Sequence, residues 1–264
     1  MITLAAPQEF LLFLAVAMAP LDRFSAQAAR YARYRINYPQ ELYTELLADV
    51  EPRHRAWDCA TGNGQVADVL ARYFTHVDAT DSSAAQLAEA AAQPNITYQV
   101  AAAEHTPFAD ASFDLITVGQ AVHWFDFNDF NTEVQRVAQP GATIAEWGYQ
   151  LARINDDLDP LLVHFYAHTM RPYWDENRWH IDDQYARIPF PFAQVRYHTY
   201  QVRRRWTAEW FLEYLRTWSS VGRYERQHGT DPVLLIEPAV LDMWGTEERE
   251  VTFPVFLRRG TVQK

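Results

Sequence analysis

The chain has 264 residues, 48% hydrophobic and 22% charged, a balance that builds a full core without disulfides or a structural metal. Lys and Arg number 23 against 34 Asp and Glu, a net charge of −11, so the surface repels phosphate backbones and no nucleic-acid partner is expected. The one cysteine, Cys59, excludes an internal disulfide and a Cys-x-x-Cys zinc site, while 14% aromatic residues favour an enclosed apolar pocket.

Phe10 to Ala19 (FLLFLAVAMA) is an apolar run containing a signal-peptidase-like Ala15-Val16-Ala17. No Lys or Arg precedes it, and it is too short to cross a bilayer. It is read as an upstream extension ahead of a second start at Met18, with no membrane partner and a cytoplasmic location expected. Ser25 to Arg35 predicts an Ala-rich helix capped by Ser25, and Pro39 to Val50 a helix opened by proline. An alternation follows: strand Ala56–Cys59, helix Gln65–Tyr73, strand His76–Thr80, helix Ser83–Ala92, strands Ile96–Ala101 and Phe113–Val118. Helix Asn128–Ala138, stopped by Pro140-Gly141, and strand Ala142–Tyr149 complete it. This spacing implies βαβ units around a mostly parallel sheet. Beyond Tyr149 the alternation breaks. Leu158–Met170 reads as a helix, and Arg171 to Phe192 is dense in aromatics, His and Pro with no period. Val195–Arg203 and Val251–Arg258 read as strands, with helices Ala208–Thr217 and Pro232–Trp244 between them.

The chemistry centres on Asp58-Cys59-Ala60-Thr61-Gly62-Asn63-Gly64-Gln65, which follows a strand and opens a helix. Glycines let a ligand approach the backbone, and the helix start presents N–H groups. The next strand ends in Asp81, where a carboxylate can take the hydroxyls of a ribose. Gly62 to Ala67 also fits the nicotinamide fingerprint G-x-G-x-x-A. Asp58, however, would oppose a pyrophosphate at this turn and suits the sulfonium and ammonium of S-adenosyl-L-methionine. A nicotinamide-dependent oxidoreductase and a non-catalytic binding protein stay as alternatives.

In AWDCATGNGQVA (56–67), VDATDSSAAQL (77–87), AAEHTPFADASFDLITVGQAVHWFD (102–126) and EVQRVAQPGATIAEWGY (133–149), the sequence resembles the class I S-adenosylmethionine-dependent methyltransferases. The trans-aconitate methyltransferase-like branch, which acts on small molecules, is nearest. The resemblance implies a three-layer α/β/α sandwich with strands in the order 3-2-1-4-5-7-6, the seventh antiparallel. Residues 21–264 would form one domain behind an extension at 1–20, with an aromatic-rich substrate and lid region at about 150–250. It also implies a methyl-donor site at Tyr31 and Arg35 on a capping helix, at Asp58, Ala60, Gly62 and Gly64 of the turn, and at Asp81, Ser82, Ala103, Glu104 and Gln120. His123 and Gln120 would be catalytic. His123, Trp124, Trp147, Tyr173 and Trp174 would hold a small-molecule acceptor, methylated on oxygen. Two departures stand out: Ala60 replaces the first glycine of the motif, and Ala102 replaces an Asp that reads adenine.

A carboxylate acceptor needs no base, whereas a phenol, hydroxyl or amine would look to His105 or His123. If Arg171, Arg178 or Arg203 to Arg205 faces the pocket, a polycarboxylate fits. His164 and His168 lie one helical turn apart but lack an HExxH pattern and a third ligand, so no metal is expected. Residues 1–17 hold no part of the alternating pattern. A chain starting at Met18 should therefore melt at the same temperature and bind methyl donor as the full chain does; a large fall in Tm on truncation would place the apolar run in the core.

Overall fold

The computed structural model describes Arg30 and residues 33–264. The apolar run, Tyr31 and most of the helix expected at Ser25–Arg35 lie outside the described residues. Seven strands form one sheet: β1 (Arg55–Cys59), β2 (His76–Asp81), β3 (Ile96–Val100), β4 (Phe113–Gly119), β5 (Ala138–Tyr149), β6 (Ala193–Trp206) and β7 (Arg249–Thr261). Their order is β3-β2-β1-β4-β5-β7-β6. The pairings from β3 to β5 are parallel, and β7 runs antiparallel to both β5 and β6. Order and orientation are those expected from the sequence.

Strands alternate their side chains between two apolar layers. On one face, Ala56, Val77, Leu115, Trp147 and Phe253 pack with Leu42 and Leu46 of α1 (Gln40–Leu47) and with Val66 and Leu70 of α2 (Gln65–Leu70). The same layer takes in α5 (Leu158–His164), α7 (Ala208–Leu215) and α9 (Glu237–Trp244), through Leu162, Phe211 and Val240. On the other face, Trp57, Cys59, Ile116, Val118 and Ile144 pack with Phe130 and Val134 of α4 (Phe127–Val137). Among the described residues no helix is long and apolar enough to cross a membrane.

Several boundaries differ from the sequence reading, each for a local reason. Asp126 caps α4 by accepting from the N–H groups of Asn128 and Asp129. The helix ends at Val137 because Ala138 turns extended and enters β5, so Pro140-Gly141 lies inside an irregular strand start, with Gly141 at φ +85°. The helix expected at Leu158–Met170 is α only to His164 and then widens into a π turn, Phe165–Thr169. That expected at Pro232–Trp244 divides into a 3-10 turn, Pro232–Leu235, and α9. Two further helices, α3 (Ala84–Ala88) and α6 (Trp179–Asp182), are short. α6 falls in the stretch read as having no period, and a longer helix was also not expected: α8 (Ser219–His228), whose SSVGRYERQH sequence is polar and holds a glycine. It forms because Ser220, Val221 and Gly222 are buried in the fold, a tertiary override of weak local propensity.

Glu146 on β5 and Arg258 on β7 are register partners, and their side chains are 1% and 3% exposed. Arg258 donates from Nε and Nη2 to Glu146 Oε2 at 2.8 and 2.6 Å, and from Nη1 to the carbonyls of Tyr185 and Ile188, each at 2.9 Å. Arg258→Met leaves a buried carboxylate without its cation. It should cost about 3–5 kcal/mol of unfolding free energy in a denaturant titration, and Glu146→Leu combined with Arg258→Met much less. Equal losses in both would show that the ion pair itself does not hold this region.

Candidate active site

β1 runs into the turn at 60–64 with three left-handed residues, Ala60 at φ +53°, Gly62 at +59° and Gly64 at +82°. Ala60 thus occupies a conformation that disfavours a Cβ by about 1–2 kcal/mol. Gly64 is favoured by its φ of +82° and by packing: a Cβ there would lie 2.5 Å from the Tyr98 hydroxyl. Gly62 instead ties the turn to β2. Its N–H donates to Asp81 Oδ2 at 2.9 Å, while the Ser83 N–H donates to Asp81 Oδ1 at 2.8 Å. Ser82 is exposed beside it.

Asp58 lies behind the turn, 1% exposed. Its carboxylate accepts from the Thr117 hydroxyl of β4 at 2.8 Å and from the Thr61 hydroxyl. Burial pushes its pKa up to about 6, against the lowering effect of those hydrogen bonds. At neutral pH it is a fixed anion that binds the turn to β1 and β4. Neighbouring Cys59 is fully buried, and burial raises its thiol pKa well above the ordinary value. Ala103 and Glu104 sit in a turn closed by an Ala102–His105 bridge, which Ala101 N–H joins to the Asp81 carbonyl at 3.1 Å. Glu104 accepts from Asp126 N–H at 2.9 Å, and buried Glu133 accepts from Thr106 N–H at 2.8 Å, so this turn is strapped to α4. His105 is exposed.

Past the ends of β4 and β5 lies a cavity of about 70 Å³ whose walls include Arg35, Gln120, His123, Trp124, Tyr149, Trp174, Arg178, Tyr214 and Trp218. Gln120 is left-handed at φ +57°, and its carboxamide is spent on β5: Oε1 accepts from Tyr149 N–H at 2.7 Å and Nε2 donates to Tyr149 O at 3.3 Å. An amide has no proton to exchange at neutral pH, so Gln120 braces the wall. His123 is 2% exposed with Nδ1 3.3 Å from the Tyr185 hydroxyl. Burial, with Arg178 and His180 nearby, holds its pKa well below the ordinary value, so it stays neutral.

Arg178 presents its guanidinium to the Trp174 and Tyr166 rings at 5.1 and 5.3 Å and stands 3.7 Å from Asp182. Its Nη1 is buried and makes no hydrogen bond. The other candidate arginines are elsewhere. Arg171 is exposed, and Arg203 and Arg205 lie on the outer face of β6 against Glu250 and Glu248. Arg35 donates to the Tyr149 hydroxyl and, at 3.0 Å, to the Thr217 carbonyl, which places it on the cavity wall. Two expected acceptor residues are not cavity-lining. Trp147 is 0% exposed in the core below, because Gly119 leaves room for its indole: a Cβ at Gly119 would lie 3.2 Å from Trp147 Nε1. Tyr173 turns away to α8, its hydroxyl 2.7 Å from His228 Nε2. The His164 and His168 rings stack at 5.0 Å, and among the described residues no group of three potential metal ligands gathers.

Tyr185, Tyr214 and Trp218 were not singled out by the sequence. Tyr185 comes from the aperiodic stretch, and Trp218 precedes the unexpected helix α8.

A family model described as a methyltransferase domain matches residues 57–145, the span from β1 to β5. A Dictyostelium discoideum protein provisionally named a methyltransferase is 29% identical over 245 residues, 89% of this chain and 93% of its own length. The solved structure of a protein from Anaeromyxobacter dehalogenans, provisionally named a type II methyltransferase, is 37% identical. It covers 87% of this chain and 99% of that one with a TM-score of 0.78. YcgJ of Bacillus subtilis, 18% identical, shares the fold at a TM-score of 0.51 over 86% of this chain and 100% of its own.

Asp58 titrates near 6 in the fold and near 3.8 when unfolded, so between those pH values the folded chain holds a proton that the unfolded chain has released. Stability from this group therefore falls as pH rises through that window. Asp58→Asn should remove the fall and raise unfolding free energy at pH 7.5 by about 1–3 kcal/mol, seen in Tm measured against pH. A lower Tm at every pH would show that the charge is needed to hold Thr61 and Thr117. By sequence coverage, identity and fold, the chain belongs to the methyltransferase family, in its class I architecture.

Proposed function

We propose that the chain methylates a carboxylate oxygen of a small organic acid held in the cavity between the ends of β4 and β5 and the 171–188 segment. The methyl donor is S-adenosylmethionine. Its site fits the residues present: the Asp58 anion behind the turn suits a sulfonium and an ammonium, and Gly62 leaves the backbone bare. Asp81 ends β2 where a ribose is read. When bound, S-adenosylmethionine supplies a methyl group on a positive sulfur, reactive towards an ionised carboxylate without a base.

The observation that carries the acceptor reading is Arg178, a half-buried guanidinium whose buried Nη1 makes no hydrogen bond among the described residues, on a cavity wall otherwise rich in aromatic rings. A carboxylate would complete its hydrogen bonding, and Arg35 across the cavity adds positive charge. Trp124, Trp174 and Trp218 shed water from the reacting oxygen. His123, neutral and bonded to Tyr185, orients without exchanging a proton.

The test is methyl transfer from labelled S-adenosylmethionine to a panel of mono-, di- and tricarboxylates, with the product checked for release by mild base, as a methyl ester requires. Arg178→Gln should raise the acceptor KM about 10- to 100-fold, the loss of a hydrogen bond to a charged group, and leave S-adenosylhomocysteine affinity unchanged. A base-stable product, or an unchanged KM, would overturn the carboxylate reading.

A further inference from the structure

Gln86 stands on the short helix α3, held on its first turn by the Ser83 hydroxyl, which accepts from Gln86 N–H at 3.4 Å. It is 4% exposed, an uncommon place for a carboxamide. Its side chain reaches back to the turn at 60–64. A Cβ on Gly62 would lie 3.8 Å from Gln86 Oε1, so the bare side of the glycine looks onto this oxygen. Oε1 is buried and has no hydrogen-bond partner among the described residues. The contrast with Asp81 is direct, since each of that carboxylate's oxygens accepts a backbone N–H. A buried carbonyl oxygen without a donor is a standing penalty, and leucine or methionine would fill the same volume without one.

We infer that Gln86 is a binding residue for the nucleoside part of the methyl donor, its carboxamide bonding a ribose hydroxyl beside Asp81. A hydroxyl both donates and accepts, so it satisfies either orientation of the amide. The methionine carboxylate, by contrast, offers this oxygen no proton. The Gly62 N–H is bonded to Asp81 and a Cβ on Gly62 would meet Gln86 Oε1, so both side chains border the same residue of the turn. The inference rests on the methyl-donor reading above and extends it to a residue within VDATDSSAAQL that the motif itself does not mark.

The experiment is calorimetric titration of S-adenosylhomocysteine into the full chain, Gln86→Leu and Gln86→Met, with Tm recorded for each. The full chain must bind first; if it does not, the methyl-donor reading fails and this inference with it. Given binding, both variants should bind about 5- to 20-fold more weakly, the loss of one hydrogen bond, while their Tm without ligand stays level or rises. Competition by adenosine and by 2′,3′-dideoxyadenosine separates a sugar contact from packing: the full chain's preference for adenosine should shrink in the variants. Unchanged affinity in both variants, or an unchanged preference, would overturn the role of Gln86 and leave the methyl-donor reading standing.

Discussion

The Glu146–Arg258 pair joins the two halves of this molecule. β5 is the last strand of the parallel set, and β7 is the strand that reverses direction. A guanidinium and a carboxylate buried at their junction fix the register between them. The same guanidinium is spent on two carbonyls, Tyr185 and Ile188, in the stretch with no secondary-structure period. Tyr185 in turn meets His123, so a salt bridge in the core sets the position of a cavity wall. Continuum reasoning makes such pairs poor stabilisers compared with apolar substitutes, and their use is to select one arrangement over others.

The backbone around the turn and the cavity is held in sparsely populated conformations. Ala60, Gln120, Gln184 and Tyr185 all have positive φ without being glycine. Three of these are held by their neighbours. Ala60 is locked between β1 and a turn tied to Asp58 and Asp81, Gln120 by two bonds to Tyr149, and Tyr185 by Arg258. Strain of this kind persists only where surrounding contacts outweigh it. Ala60 and Gln120 carry it at the two ends of the proposed site, while Ala111 and Gln194 carry it elsewhere.

Much of the sheet was readable in advance because strand–helix alternation and the Asp-x-Ala-x-Gly-x-Gly turn are local signals. Asp58, Gly62 and Asp81 announce themselves by their spacing from strand ends. The acceptor side was less readable because its contacts are not local. Tyr185 depends on Arg258, far along the chain, and α8 depends on burial that its polar sequence does not advertise. Trp147 looked like a pocket residue because tryptophan at a strand end is common there. Its exclusion comes from Gly119 on the neighbouring strand, whose missing side chain admits the indole to the core. Arg178 was one of several arginines, and only packing against Tyr166 and Trp174 distinguishes it.

The insertion of β7 between β5 and β6 has a consequence for how the chain acquires its shape during synthesis. β6 is made before β7, and among the described residues its one partner in the sheet is β7, so it waits for β7 to arrive. A nascent chain that has emerged through Trp206 therefore carries a fourteen-residue strand with nothing to pair with, beside an open β5 edge. β6 carries Arg196, Arg203, Arg204 and Arg205, and like charges along an edge strand disfavour its joining another copy edge to edge. The parallel half can assemble early, whereas Arg258 reaches Glu146 only after β7 has been made, and the cavity wall it supports can order only then.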